Sequence, residues 1–193
     1  MQKNISEHLN NMLLHLHNWN FPVCKLLNDP IDKDEISKMF QKIGLSPPEE
    51  LIDLYQWRNG TDVKLGTVLD NIHIIPGYYF LSLEDAITCF LSFKDDDRWK
   101  PYWFPIFSNG GGDFYALDFS KANGRHAPVI GFLLGEPNQD TEYLSLASML
   151  QTFSECYDKG IVFITAEGYL EMDDEAQADI AQRYNPGLDF WTS

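Results

Sequence analysis

Two clusters of carboxylates are the side chains of this chain whose type and spacing could do chemistry. The candidate site residues are these acids and one neighbouring tryptophan: Asp95, Asp96, Asp97, Trp99, Glu171, Asp173, Asp174 and Glu175. Neither cluster has the spacing of a calcium loop, which needs a central glycine and a final glutamate. Clustered carboxylates attract cations over a distance. Both clusters could therefore form a docking face for a basic protein.

Each cluster also has a purely structural interpretation. Asp173, Asp174 and Glu175 come at the start of a predicted helix, where acidic side chains stabilise the helix dipole. The run Asp95–Asp97 could be the solvated end of the preceding helix. Trp99 lies between two basic residues, which favours a half-exposed indole, and tryptophan is a common anchor in protein interfaces.

The net charge of the chain is −15 over 193 residues, from 29 acidic and 14 basic side chains. Residues 1–100 carry 15 acidic and 10 basic side chains, and residues 101–193 carry 14 and 4, so two thirds of the net charge lies in the second half. Binding to a phosphate backbone is disfavoured because it needs a basic surface. Solubility alone would also explain an acidic composition.

No other motif predicts catalysis. Gly110–Gly112 precedes Asp113 and a strand rather than Lys-Ser/Thr and a helix, so it predicts a hairpin turn and not a phosphate site. The five histidines form no metal motif, and no nucleophile elbow is present. The sequence therefore predicts no enzyme, no metal and no cofactor. A hydrolase that uses two carboxylates stays open as a lesser hypothesis.

The cytoplasm is the predicted compartment. The first residues show no basic segment followed by an apolar run, and no stretch has the ~18 apolar residues of a membrane span. The three cysteines, Cys24, Cys89 and Cys156, are odd in number and far apart, which indicates free thiols in a reducing environment.

Apolar periodicity predicts six helices. They cover residues 5–18, a segment from Asp32 to Gly44, one from Ser46 to Trp57, one that begins at Ser82 and frays near Asp95, residues 145–157 and residues 173–184. Ser46 has the spacing of a capping box with the glutamate three positions later, with proline at the first helical position.

The middle of the chain predicts strands. The β-type runs are Thr67–Leu69, Tyr78–Phe80, Trp103–Phe107, Asp113–Asp118, Pro128–Leu133 and Ile161–Ile164. Short turns join the three central runs, which favours an antiparallel meander over βαβ units. We expect an α+β fold with one domain, in which N-terminal helices precede a central antiparallel sheet and C-terminal helices pack on it. Residues 1–30 are predicted to form a helix and loop packed on a main domain of residues 31–193.

Several of these features together resemble the SUKH superfamily, also called the Smi/Knr-type domain. One is the helix that ends in Trp57 and continues into Asn59-Gly60. Another is the glycine-rich turn Gly110, Gly111 and Gly112, followed by an aromatic strand that ends in Asp118. The order of the later elements, with Pro128–Ile130 as the next strand, is also similar. The resemblance covers about residues 35–187.

The resemblance implies a non-enzymatic protein-binding domain. Many bacterial members resemble immunity proteins, which neutralise polymorphic toxins delivered by neighbouring cells, and fungal relatives act as regulatory scaffolds. The expected function is to bind and neutralise a cognate toxin, such as a nuclease, through an acidic surface. The alternative is a regulatory or scaffold module that binds proteins. The expected partner is a basic protein, with no nucleic acid and no membrane, and the chain is expected to be a monomer or weak homodimer. The recurring Trp, Asn, Gly and Asp positions are expected to be structural.

Overall fold

Six α-helices lie in the part of the chain that the computed structural model describes, residues 4–64 and 66–192. They are α1 (Ile5–Asn18), α2 (Lys33–Lys42), α3 (Glu49–Trp57), α4 (Leu83–Ser92), α5 (Leu146–Asp158) and α6 (Asp174–Tyr184). All six predicted helices are confirmed. Ser82 caps α4 as predicted, because its hydroxyl accepts a hydrogen bond from the Asp85 backbone N–H at 3.1 Å.

The sheet is an antiparallel meander in which each strand pairs with the next one along the chain. Its strands are β1 (His73–Ile75), β2 (Tyr78–Phe80), β3 (Trp103–Ser108), β4 (Phe114–Asp118), β5 (Val129–Phe132) and β6 (Asp140–Tyr143). A separate two-stranded hairpin consists of β7 (Val162–Ile164) and β8 (Leu170–Met172). The predicted α+β fold with a central antiparallel sheet is confirmed.

The sheet is larger than the sequence predicted. The strand expected at Thr67–Leu69 is wrong: the Thr67 hydroxyl accepts from the Lys64 backbone N–H, and residues 69–72 form a 3-10 turn before β1. β6 was missed because its sequence, Asp-Thr-Glu-Tyr, contains no apolar run. β8 was also missed, because it has only three residues and the exposed Glu171 at its centre interrupts the apolar pattern.

The start of α3 also differs from the prediction. Ser46 does not cap the helix, which begins at Glu49 with Pro48 in the cap position and no side-chain cap. The first free N–H groups instead donate to backbone carbonyls of a distant loop, Glu49 to Gly124 at 3.0 Å and Glu50 to Arg125 at 3.2 Å. A tertiary contact thus replaces the local cap, because consecutive prolines favour extended backbone before the helix.

The Glu50 carboxylate joins three parts of the fold. Its side chain is buried at 2% exposure, although glutamate is rarely buried. Oε1 accepts from the backbone N–H groups of Ala127 at 2.9 Å and Leu146 at 3.2 Å, and Oε2 accepts from Ala147 at 3.2 Å. The His126 ring nitrogen Nδ1 lies 2.9 Å from Oε2. One side chain of α3 therefore caps the start of α5 and holds the loop before β5.

Both faces of the central strands are covered. Every residue of β3, β4 and β5 is buried. On one face Phe114 and Phe132 pack against Phe93, with ring centroids 5.2 and 5.7 Å apart. On the other face Tyr143 packs against Phe153 of α5 at 6.1 Å. This double burial explains why these strands are continuous apolar runs rather than alternating ones.

The N-terminal helix contributes to the same core. Leu9, Met12 and Leu16 of α1 are fully buried, at the i, i+3 and i+7 spacing of one helix face. The indole Nε1 of Trp57 donates to Asn10 Oδ1 at 2.9 Å, which ties α3 to α1. The division of the chain into residues 1–30 and 31–193 stays a prediction.

Asn59 and Gly60 form a joint between α3 and α4. The Asn59 Oδ1 accepts from the Leu83 backbone N–H at 2.8 Å, in the first turn of α4. Gly60 has a φ of +71°, and a Cβ there would lie 2.2 Å from the backbone nitrogen of Ser82. The position therefore excludes a side chain both by conformation and by space.

The glycine-rich segment forms the hairpin turn between β3 and β4. The Asn109 Oδ1 accepts from the backbone N–H groups of Gly111 at 2.7 Å and Asp113 at 3.0 Å. Gly110 and Gly112 adopt positive φ values of 77° and 108°. At the far end of β4 the buried Asp118 accepts from the Ser120 backbone N–H at 3.0 Å. These motif residues close turns.

Replacement of Glu50 by alanine should be strongly destabilising. It leaves three backbone N–H groups without their acceptor, and the removal of one partner from a buried charged network typically costs about 3–5 kcal/mol. The matched control is Glu49→Ala, because Glu49 is exposed and its closest ion-pair contact, with Arg125, is 3.8 Å. We expect the control to change the unfolding free energy by less than about 1 kcal/mol. Urea denaturation measures both, and similar losses would contradict the role of Glu50.

A pair of glycine substitutions tests the joint at Gly60. Gly44 has the same φ of +71°, but a Cβ there would meet nothing within 4 Å. Gly44→Ala should therefore cost only the backbone strain, about 1–2 kcal/mol. Gly60→Ala adds the clash with the backbone of Ser82, so we expect about 1–3 kcal/mol more than in the control. Equal unfolding free energies for the two variants in urea would rule out this close approach.

Candidate functional site

The cluster Asp95–Asp97 follows the end of α4 and is partly neutralised within the chain. The Asp96 carboxylate pairs with Arg98, whose Nη2 lies 2.8 Å and whose Nε lies 3.0 Å from its oxygens. Hydrogen bonds from Arg98 lower the pKa of Asp96 to about 2. Asp97 lines a cleft that also contains Arg98, Lys100 and Lys121. The field at this cluster is therefore mixed rather than acidic.

Trp99 is a core residue, and the expectation that it is half exposed is wrong. Its side chain is 4% exposed. The indole packs edge-on against Phe132 at 4.9 Å and Phe114 at 5.8 Å, between centroids, and it lies 5.3 Å from Phe93. The segment after α4 folds across the aromatic face of the sheet, which the charges on either side of the tryptophan did not reveal.

The second cluster lies where β8 continues into α6. Asp173 is the N-cap of α6, because its carboxylate accepts from the Ala176 backbone N–H at 3.1 Å. Asp174 and Glu175 occupy the first turn of the helix, and Glu171 lies in β8. The positions of Asp173, Asp174 and Glu175 thus match the structural interpretation of acidic residues at a helix start, and these three acids and Glu171 are exposed.

An acidic cleft of about 230 Å³ opens beside this second cluster. It is lined by residues of the turn before β1, the β1–β2 turn, β8 and the start of α6: Asp70, His73, Pro76, Gly77, Tyr169, Leu170, Glu171, Met172 and Asp174. No lysine or arginine is among them. The structure thus brings Glu171 and Asp174 together with Asp70, which is about 100 positions away in the chain.

The floor of the acidic cleft contains a buried histidine. His73 is 7% exposed, and its Nε2 has no hydrogen-bond partner among the described residues. Burial lowers the pKa of His73, and the charge of Asp70 opposes this effect only in part. The ring is therefore neutral near pH 7 and does not offset the carboxylates around it.

Asp70, His73 and Tyr169 are functional candidates that sequence reasoning missed. Asp70 lies in the 3-10 turn of residues 69–72 and His73 directly follows it, in a segment that the sequence pattern placed among strands. Tyr169 is 47% exposed in the turn that leads into β8. No local signal joins these segments, because only the tertiary fold brings residues 70–77 against residues 169–174. The structure places none of Asp95, Asp96, Asp97 and Trp99 in this cleft.

A second cleft lies near Glu50. It has a volume of about 290 Å³ and contains Glu50, Asp53, Arg125 and His126. The two acids could suggest a hydrolytic pair. However, the carboxylate of Glu50 already accepts three backbone hydrogen bonds. A carboxylate with its lone pairs so occupied is a poor general base.

Glu142 is a buried carboxylate whose pKa is raised by burial. It is 8% exposed in β6, and desolvation raises its pKa to about 7, while a hydrogen bond with Tyr115 opposes the shift. Its side chain lies over Gly131, where a Cβ would come within 1.7 Å of Oε1. Glu142 lines none of the clefts described above. Its position is that of a core residue.

The cysteines do not resemble activated nucleophiles. Burial is the main cause that raises the pKa of Cys24 and Cys89, and it raises the pKa of Cys156 to about 12. Raised values leave the unreactive thiol form dominant at neutral pH. Within residues 4–64 and 66–192, no group of three or more His, Cys, Asp and Glu has the geometry of a metal site. None of the helices in these ranges is both long and apolar enough to cross a membrane.

Comparison with known proteins gives one match. The model of the SMI1 / KNR4 family (SUKH-1) matches residues 30–156, about two thirds of the chain. The matched region extends from the residues before α2 to α5, so it includes the sheet, the Asn59-Gly60 joint and the glycine-rich turn. No curated protein matches the chain.

Glu142→Gln should make stability less dependent on pH. The folded-state pKa of about 7 lies above the ordinary value of 4.5, so the folded chain retains a proton that the unfolded chain releases. The contribution of the Glu142 carboxyl to stability is fully present below its pKa in the unfolded state. It is lost as the pH rises through its pKa in the folded state. As the pH rises from about 5 to about 8, the unfolding free energy of the variant should increase by about 2 kcal/mol relative to that of the parent. Urea denaturation at each pH measures both. A constant difference across this range would contradict the raised pKa.

Proposed function

The chain belongs to the SMI1/KNR4 family (SUKH-1), and from this premise we propose that it is an immunity protein that binds and neutralises a cognate toxin. This family is known for immunity-protein-like roles and is generally non-enzymatic. The proposed partner is a basic toxin domain, such as a nuclease. The observation that carries the proposal is the acidic cleft beside α6, whose lining among the described residues contains three carboxylates and no lysine or arginine.

Charge supports this choice of partner. The chain has a net charge of −15, and a nuclease needs a basic surface to approach its phosphate substrate. An acidic protein would be steered to such a surface at a high association rate. The same contact would compete with the nucleic acid. Action in the cytoplasm fits the three free cysteines, which are typical of a reducing compartment.

The two acidic clusters contribute differently in this proposal. Glu171, Asp174 and Glu175 are exposed and form no ion pair among the described residues, so their charges are available to a partner. Asp96 is paired with Arg98. We therefore propose the β8–α6 side as the contact surface. Asp95 and Asp97 add to the long-range field only, and Trp99 supports their loop from the core.

Co-expression tests the proposed function. The toxin encoded beside the gene should arrest growth when expressed alone, and growth should resume when this chain is expressed with it. A matched catalytically dead toxin controls for expression burden. Toxicity that persists despite abundant folded protein, together with no binding between the purified proteins, would contradict an immunity role. Binding to an endogenous protein without any rescue would favour the scaffold alternative.

The salt dependence of association tests the electrostatic part of the proposal. Between about 20 mM and 500 mM salt, the association rate with the toxin should fall by at least about ten-fold, while the dissociation rate changes much less. Stopped-flow fluorescence of the five tryptophans measures both rates. An association rate that does not depend on salt would assign the negative charge to solubility alone.

A further inference from the structure

The carboxylates of the acidic cleft form no ion pair among the described residues, unlike Glu155 of α5. Glu155 is bound by Arg183 at 2.8 Å and by Lys159 at 3.1 Å. Asp70, Glu171 and Asp174, in contrast, are exposed and lie within 4.0 Å of no basic nitrogen among the described residues. Three carboxylates that line a space of about 230 Å³ repel one another. A cation in the cleft would remove this repulsion.

His73 supplies an independent sign that the cleft is incomplete. His73 lines the cleft and its side chain is more than nine-tenths buried, yet its Nε2 has no hydrogen-bond partner among the described residues. Buried polar atoms are almost always paired, because an unpaired one loses its hydration without compensation. The neutral ring can offer a lone pair to an N–H donor that enters the cleft.

The shape of the cleft favours a flat cation with several donors. Tyr169, 47% exposed, and Pro76 give the lining two apolar surfaces on which a planar group can stack. Arginine carries five N–H donors on a planar frame, whereas lysine presents a compact, strongly hydrated point charge. We propose that the acidic cleft receives one arginine side chain of the partner, held by the carboxylates of Asp70, Glu171 and Asp174 and by Nε2 of His73.

The surroundings of the cleft indicate a protein rather than a free amino acid. Val68 and Leu69, directly before Asp70, are 56% and 38% exposed. Phe163, 42% exposed, is paired with Glu171 in the β7–β8 hairpin. Exposed apolar side chains around a charged pocket are typical of interfaces, which have an anchor residue and apolar contacts about it. The proposed arginine therefore belongs to the partner protein, and this inference rests on the proposed function.

An NMR titration of the ¹⁵N-labelled chain tests the cleft without any toxin. The probes are acetyl-arginine amide, acetyl-lysine amide and acetyl-citrulline amide, the last of which has nearly the shape of arginine without its charge. Arginine should shift the amide signals of residues 70–77 and 169–174 and bind at least about five-fold more tightly than lysine. Citrulline should shift none of them. Arginine-induced shifts confined to other regions, or equal effects of lysine, would overturn the proposal.

Charge reversal then tests the same cleft in the complex. Glu171→Lys with Asp174→Lys should weaken binding of the purified toxin at least about 30-fold, because a buried arginine would meet two new cations. The matched control is Asp179→Lys, which reverses an exposed charge in the same helix but does not line the cleft. Circular dichroism confirms folding of both variants.

The two variants separate the cleft from the proposed function. If the double variant binds the toxin with the affinity of the parent and still rescues growth in co-expression, the proposed arginine site is overturned and the immunity role stands. A parent chain that neither binds nor neutralises the toxin would overturn the immunity role. An equal loss in the double variant and in Asp179→Lys would also overturn the cleft, because it would assign the effect to overall charge.

Discussion

The fold depends on one buried carboxylate. Glu50 of α3 supplies the acceptor for backbone N–H groups at the start of α5 and in the loop before β5, elements that lie about 80–100 positions away. A buried charge is tolerated only when hydrogen bonds replace its hydration, and here they do so. The benefit of this arrangement is orientation: it fixes α3, the sheet and α5 relative to one another. Residues 169–174, which line one side of the acidic cleft, follow α5 in the chain and are positioned by it.

This constraint separates the structural acids from those available to a partner. Glu50, Asp118 and Glu142 are buried and engaged in the fold, and Asp173 is used as a helix cap. The exposed acids that remain near the cleft lie on the short β7–β8 hairpin, on the first turn of α6 and on the turn before β1. These are peripheral elements on a rigid centre, an arrangement that lets a surface vary without cost to the core.

Sequence reasoning predicted the helices and the central hairpin because their signals are local. The apolar stripe of α1, the cap at Ser82 and the glycines of the β3–β4 turn need only nearby residues. It failed where distant contacts decide the structure. The start of α3 is satisfied by the loop at residues 124–125, and Trp99 is buried by aromatics of three other segments. The acidic cleft combines both cases: Glu171 and Asp174 were visible as a cluster, but Asp70 and His73 reach them only through the fold.

Hydrogen–deuterium exchange of the chain with and without the proposed toxin tests the central claim most directly, because it maps the contact surface without any substitution. The account predicts slower exchange of backbone amides in residues 68–77 and 163–175 on binding, with little change in residues 95–100. Protection concentrated at residues 95–100, or in the cleft near Glu50, with none around His73 and Glu171, would contradict it.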